Sequence, residues 1–365
     1  MFIPYVNLKK QYRLEKKKLL KKIDSVLSSG DYILGDEVEI FEKNISKLCK
    51  TKYCVALKSG TDALTLSLHL LGVKRGDEVI TPPNSFISST SSIVHLGAIP
   101  VFVDVKEDQN INENLIEKKI TKKTKAIMPV HLTGRMCAMD KICFIGKKYG
   151  IPIIEDSAQS ITSKFKDKPS GSWGDIGCFS THPLKNLNAL GDGGFLTTNN
   201  ISIFEKAKIY RNHGLINRNK VRRFAYLSRM DNLQAAILNF RIKSLENIIK
   251  KRRRNVEHYL SKLDLNKVYF PLEKKEEFNS YHTFVIQIDK RDELKKYLYL
   301  KGIGTSIHYP IPIHLQPAAK MLGYKKGSFI NTERQSKKIL TLPINQFLKK
   351  KEIFYICKKI NEFFK

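Results

Sequence analysis

The chain has 365 residues, 42% of them hydrophobic, which is enough for one large or two moderate domains with a buried core. Its formal charge of +30 is spread along the sequence with no zinc-finger pattern, RNP-like aromatic motif or basic region joined to heptads; a solvated lysine-rich surface is expected and no nucleic-acid partner. There is no run of 18 or more apolar residues, and the start Met1-Phe2-Ile3-Pro4-Tyr5 lacks the charged-then-apolar order of a signal peptide, so no membrane partner is expected and the cytoplasm is the expected location.

In chain order, Leu14 to Leu27 has helical apolar spacing and is followed by a turn at Ser28-Ser29-Gly30-Asp31. Between Lys58 and Thr198, β-rich runs alternate with helical stretches, the strand candidates being Glu78 to Thr81, Ile99 to Val105, Ala126 to Val130, Ile151 to Glu155, Gly177 to Ser180 and Phe195 to Thr198. Such alternation predicts an α/β fold with a mainly parallel sheet covered by helices on both faces. From Asn232 to about Leu263 the period is helical. Tyr281 to Ile288 and Gly304 to His308 read as strands, and Glu352 to Phe364 as a closing helix. The expected organisation is a large domain over 1–240, including the N-terminal helical segment, and a smaller α+β domain over 241–365. The six cysteines form no Cys-x-x-Cys pair and no Cys/His cluster at zinc-ligand spacing, so reduced thiols and no metal are expected.

Three segments carry candidate chemistry. Ser59-Gly60-Thr61-Asp62 opens a helical run directly after an apolar one, and the free N–H groups and dipole of such a helix start suit a phosphate, although an ordinary N-cap looks the same. Ile151 to Glu155 is a buried-strand pattern that ends in Glu155-Asp156, where either carboxylate could face the crevice at the carboxyl ends of the strands; a helix N-cap is the plain alternative. Lys185 stands in a glycine-bounded loop between two strands, five residues after Ser180. A lone lysine is almost always solvated, so only the combination raises it.

That combination extends along the chain. Ser59-Gly60-Thr61-Asp62-Ala63-Leu64, Gly76-Asp77-Glu78-Val79-Ile80, Glu155-Asp156-Ser157-Ala158-Gln159, Phe179-Ser180 to Lys185-Asn186, Arg211-Asn212-His213-Gly214, Arg229-Met230-Asp231 with Leu233-Gln234-Ala235-Ala236, and His308-Tyr309-Pro310 with His314-Leu315-Gln316 follow in order. Together they resemble the DegT/DnrJ/StrS family of sugar aminotransferases, from Pro4 to the last helix. The resemblance implies the type I fold of pyridoxal-phosphate enzymes, with a large mainly parallel sheet domain and a smaller C-terminal α+β domain.

It also implies roles. Lys185 would hold pyridoxal phosphate as a Schiff base and shuttle the proton, since a lysine amine is nucleophile and base once its pKa is lowered. Asp156 would pair with the protonated pyridine nitrogen, Phe86 would stack on the ring, Gln159 would sit beside the 3-hydroxyl, and Gly60, Thr61 and Ser180 would hold the phosphate. Arg229 and His308 match an arginine and a histidine that the family's partner subunit places near the amino donor's carboxylate; a plain surface ion pair is the alternative for Arg229. With Tyr309 these are the expected substrate-binding residues, and a homodimer with composite sites is the expected assembly.

One departure stands out. Where the family has Gly-Tyr-Asn-x-Arg, with the Asn reaching the neighbour's cofactor phosphate, this chain reads Ala225-Tyr226-Leu227-Ser228-Arg229, and Leu227 cannot donate a hydrogen bond. Ser228 or Tyr226 substitutes, or the phosphate relies on its own subunit. Lys185 itself points to a transaminase, because the related dehydratases carry histidine there. The expected reaction moves an amino group from an amino acid, glutamate by resemblance, to a keto sugar nucleotide in two half-reactions. The run from His308 to Gln316 favours a 3-keto over a 4-keto substrate. A keto sugar phosphate lacking a nucleotide and a non-catalytic regulatory relative of the same fold are the alternatives.

Overall fold

A computed structural model describes residues 2–365. Seven short apolar runs build one sheet: β1 (Tyr53–Leu57), β2 (Glu78–Thr81), β3 (Ile99–Phe102), β4 (Thr124–Ile127), β5 (Ile154–Asp156), β6 (Ile176–Ser180) and β7 (Gly194–Thr198). They pair as β1-β7-β6-β5 and β4-β2-β3. Parallel bridges Ile127–Ile153 and Val130–Asp156 join the two groups into one order, β1-β7-β6-β5-β4-β2-β3. β7 alone runs against the rest, pairing antiparallel with both β1 and β6. The sheet is thus mainly parallel, as the alternation predicts.

Around it lie α1 (Leu8–Ser29), α2 (Asp36–Cys49), α3 (Gly60–Leu70), α4 (Ser88–His95), α5 (Met139–Tyr149), α6 (Ile201–Tyr210) and α7 (Asn232–Leu260). Strand alternation decides which side chains meet which helices. Val55, Leu57, Ile154, Ile176 and Leu196 pack with Leu64 and Leu68 of α3 and Ala207 of α6. On the other face, Ala56, Phe179 and Phe195 pack with Phe41 and Ile45 of α2 and Leu238 of α7. Each of the valine, leucine, isoleucine and phenylalanine side chains contributes about 1.5–3 kcal/mol on burial. Phe179 and Phe195 also stack, 4.6 Å apart at 14°, and they are register partners. Their contact therefore fixes Ser180 opposite Gly194 at the strand ends.

The C-terminal part adds the antiparallel pair β8 (Phe284–Gln287) and β9 (Ile339–Leu342) with α8 (Arg291–Leu300), α9 (Ile330–Lys338) and α10 (Lys350–Phe363). Its core joins Phe284, Ile286, Leu340, Leu342, Leu298 and Ile356 with Val256 and Tyr259 at the end of α7. Ile3 belongs to this core too, bonded to the backbone of Gly302 and Gly304. α7 serves both cores, and the change falls between Ile249 and Val256. Gly304 to His308, expected as a strand, makes a single bridge, Ser306 to Thr341. The strand expected over Ala126 to Val130 stops at Ile127. Among the described residues no helix is long and apolar enough to cross a membrane, and the six cysteines are free thiols, all buried except the half-buried Cys143.

Candidate active site

Because all strands but β7 point the same way, the carboxyl ends of β1, β2, β5 and β6 converge on one edge, which is where ligands bind in open α/β sheets. The turn after β1 leads into α3, whose N-cap Ser59 accepts a hydrogen bond from the Asp62 N–H at 3.0 Å. The N–H groups of Gly60 and Thr61 remain at the open helix start. Ser180, at the end of β6, lies against this turn so closely that a Cβ at Gly60 would stand 2.7 Å from the Ser180 Cβ. Thr61 Oγ1 is 2.8 Å from Ser88 Oγ. Hydroxyls and free N–H groups gathered at a helix N-terminus form an anion cradle.

β5 separates the two carboxylates that the sequence leaves open. Glu155 is fully enclosed and accepts from the N–H groups of Gly171, Trp173 and Gly174 at 2.7–2.9 Å. It also takes the His131 Nε2 at 3.0 Å. His131 Nδ1 accepts from the Cys137 N–H, so the Nε2 carries the proton and donates. Asp156, on the opposite face, accepts from Ser89 Oγ at 2.7 Å and from the Ala158 N–H at 3.2 Å. Burial pushes the Asp156 carboxyl up, and those two hydrogen bonds together with the charge of Lys185 oppose the rise.

Lys185 sits in the β6–β7 loop, which Thr181 and Ala189 tie together through backbone bonds and which Arg241 holds by the carbonyls of Asn188 and Ala189. Its side chain is half-buried at the crevice floor. Desolvation lowers its amine to about 8, with the Asp156 charge pulling the other way. An amine that gives up its proton near neutrality, facing a buried carboxylate, has the properties of a nucleophile and base.

Phe86 follows β2 and is 56% exposed, so it is not a core residue; its ring lies 6.0 Å from that of Tyr309. Gln159 is buried and takes the Thr133 N–H at 2.9 Å, with Tyr309 close enough to feel it. Burial and the nearby Asp156 charge raise the Tyr309 phenol. His308 is bonded through Nδ1 to Thr341 Oγ1 at 2.9 Å. Burial and the Lys185 charge of the same chain lower its imidazole to about 4. Within the chain, His308 lies close enough to Lys185 for that charge to act on it, and Thr341 of β9, which also bridges Ser306, holds the ring there.

Arg229 does not join this group. It bonds Asn212 Oδ1 at 3.1 Å and, with Lys58, Ser59, Thr61, Asp192 and Leu227, lines an open cavity of about 570 Å³ on the outer side of the α3 start. No carboxylate of the described residues pairs with it. Leu227 is half exposed there. Ser228 is buried and donates to Asp62 at 2.7 Å. Tyr226 packs its ring on His69.

Sequence reading missed Ser89, which lies 67 positions before its partner Asp156, so only tertiary packing reveals it.

The chain matches the model of the DegT/DnrJ/EryC1/StrS aminotransferase family over residues 13–361. It is 37% identical over 100% of its length to the "Pleiotropic regulatory protein" of Geobacillus stearothermophilus, covering 99% of that protein. It is also 37% identical to the dTDP-3-amino-3,6-dideoxy-alpha-D-galactopyranose transaminase of Aneurinibacillus thermoaerophilus, over 99% of each chain. Among solved structures, Streptomyces venezuelae DesV in complex with a ketimine intermediate superposes with a TM-score of 0.97 at 34% identity, over 99% of this chain and 98% of that one. The residues described above suit the cofactor of such enzymes: an anion cradle for a phosphate, a buried carboxylate for a ring nitrogen, an exposed aromatic ring and a lysine of lowered pKa. The chain belongs to the DegT/DnrJ/EryC1/StrS aminotransferase family and is a pyridoxal-phosphate-dependent sugar aminotransferase.

Proposed function

We propose that this enzyme transfers the amino group of L-glutamate to C3 of a 3-keto sugar carried on a nucleoside diphosphate, working as a homodimer with composite sites. The observation that carries the reading is that Lys185, its amine lowered by desolvation, and the buried Asp156 carboxylate stand near enough at one chain's strand ends for each charge to act on the other. The 3-keto position is supported by relatives whose names specify amination at C3 of dTDP- or UDP-linked sugars. The homodimer is supported by the cavity beside Thr61, Leu227 and Arg229, which leaves the outer side of the cradle open to a second chain.

Pyridoxal phosphate, when bound, supplies an electron sink that makes the donor's α-hydrogen acidic. Gly60, Thr61 and Ser180 would hold its phosphate, Phe86 would cover its ring and Gln159 would meet its 3-hydroxyl. Asp156 keeps a positive charge on the ring nitrogen favourable, and Ser89 and the Ala158 N–H hold that carboxylate in place. Lys185 anchors the group and, with its lowered proton affinity, moves the proton at the reacting carbon. Donor and acceptor use the crevice in turn. His308 and Tyr309 form the wall opposite Phe86, beside which the sugar ring would lie.

The test is a panel of 3-keto and 4-keto sugar nucleotides, and the corresponding sugar phosphates, incubated with L-glutamate and examined by mass spectrometry. Amination of a 3-keto sugar nucleotide is expected. Turnover confined to 4-keto substrates or to free sugar phosphates would contradict the reading.

A further inference from the structure

The orientation of the Gln159 amide is decided by chemistry. Its Oε1 accepts from the Thr133 N–H at 2.9 Å. A backbone N–H can only donate, so the amide oxygen must face Thr133 and the NH₂ end must face away from it. Tyr309, in the crevice wall, feels Gln159 in the sense of a donor that favours the phenolate. Gln159 therefore offers the crevice N–H groups, which suit an oxygen carrying negative charge.

That orientation depends on an unusual turn. Thr133 adopts φ 63° and ψ −4°, the left-handed region that a β-branched residue rarely enters and that persists only where the surroundings over-determine it. The Thr283 N–H donates to the Thr133 carbonyl at 3.2 Å, and Ser163 Oγ and the Ser280 N–H donate to the Gly134 carbonyl at 2.7 and 3.1 Å. Each of these bonds fixes one carbonyl.

Asn110 does more. It is 1% exposed and stands in the loop after β3, more than 20 positions before the turn. Its Oδ1 accepts from the Leu132 N–H at 3.1 Å, and its Nδ2 donates to the carbonyls of Arg135 and Met136, each at 3.1 Å. One buried amide thus closes the turn across its two ends, with its oxygen and its NH₂ group both engaged there. The Asn110 loop is itself held, the Asn110 N–H donating to Asp108 Oδ1 at 3.0 Å and the Asn110 carbonyl accepting from the Lys106 N–H at 2.9 Å. The chain of contacts therefore runs from the loop after β3, through the left-handed turn, to an amide in the crevice.

We propose that Asn110 is a positioning residue for the cofactor: by closing the Leu132 to Met136 turn it aims the Thr133 N–H that orients Gln159, so that the Gln159 NH₂ donates to the cofactor's 3-oxygen. This rests on the placing of Gln159 beside that oxygen in the reading above, and adds the residue that acts through it and the direction of the hydrogen bond.

The experiment follows the visible absorption of the substrate-free holoenzyme as a function of pH, for wild type, Gln159→Ala, Asn110→Ala and the double variant. A donor on the 3-oxygen favours its deprotonated form, so removing the donor makes the proton harder to lose. The midpoint of the visible band should rise in Gln159→Ala by about one pH unit or more, roughly a tenfold change in proton affinity. Asn110→Ala should move it in the same direction by roughly two- to tenfold, and by less than about twofold when Gln159 is already alanine, because the two act as one chain. A shift of equal size in both backgrounds, or no shift in Asn110→Ala where Gln159→Ala moves, would overturn the positioning role. A Gln159→Ala midpoint at the wild-type value would instead sink the placing of Gln159 beside the 3-oxygen, and the proposal with it. Should Asn110→Ala fail to fold, Asn110→Ser, which keeps a hydroxyl inside the turn, carries the same cycle with the same expected signs.

Discussion

Glu155 and Asp156 are chain neighbours with opposite duties, one turned into a nest of backbone N–H groups and the other into the crevice. The 180° alternation of β5 enforces the split. It follows that substitutions one residue apart should have different phenotypes. Glu155→Gln turns an amide N–H₂ toward groups that are themselves donors and should cost roughly 3 kcal/mol or more of stability, read by denaturant unfolding. Asp156→Asn should leave the unfolding midpoint near wild type and lower kcat by roughly 10²–10³-fold.

Ser89 is expected to tune Asp156. Its hydroxyl stabilises the carboxylate, so Ser89→Ala removes a lowering influence on a group that burial already raises. The carboxyl then protonates at higher pH, and the acidic limb of the kcat profile should move to higher pH, by an amount bounded by about 1–2 kcal/mol of hydrogen-bond energy. A limb that stays put would show that another group sets it.

In cofactor-free protein, the Lys185 amine should titrate near pH 8 rather than near 10.5. Because Asp156 holds the proton on, Asp156→Asn should lower that midpoint further. The sign for stability follows: with its folded pKa depressed, Lys185 favours the fold most above its ordinary pKa, and that contribution is lost as pH falls through about 8. NMR of reductively ¹³C-methylated protein, with Lys185→Arg to assign the signal, measures the midpoint.

How much of this could be read in the sequence depends on the range of the interactions. Lys185, Asp156 and the α3 start are each marked by local pattern, and a mainly parallel sheet follows from strands alternating with helices. The reversal of β7 leaves no local trace, since Phe195 to Thr198 looks like any buried strand. Nor does the choice between Glu155 and Asp156, which depends on the Gly171–Gly174 turn supplying donors to one face. Ser89 acquires meaning only when distant segments meet, and His308 finds its partner only because β9 carries Thr341 to it.

The cradle at Gly60 offers a steric test. Gly60→Ala would place a methyl 2.7 Å from the Ser180 Cβ and 3.1 Å from its Cα, and backbone on one side leaves little room to yield. Overpacking of about 1–3 kcal/mol predicts cofactor affinity lower by roughly 10–100-fold, measured by equilibrium dialysis.

Leu227→Asn makes the opposite change. If the half-exposed Leu227 faces a second chain's cradle, restoring an amide there should tighten cofactor binding by about 0.5–1.5 kcal/mol, or roughly two- to tenfold. The gain should vanish under dilution into monomers. Equal affinity in variant and wild type would place Leu227 away from any phosphate.

The most direct measurement of the central claim is borohydride reduction of the holoenzyme followed by peptide mapping. A stable pyridoxyl group on Lys185, absent from Lys185→Ala together with all amino transfer from glutamate to a keto sugar nucleotide, is the expected result. A pyridoxyl group on another lysine, or a Lys185→Ala protein with wild-type turnover, would contradict the account.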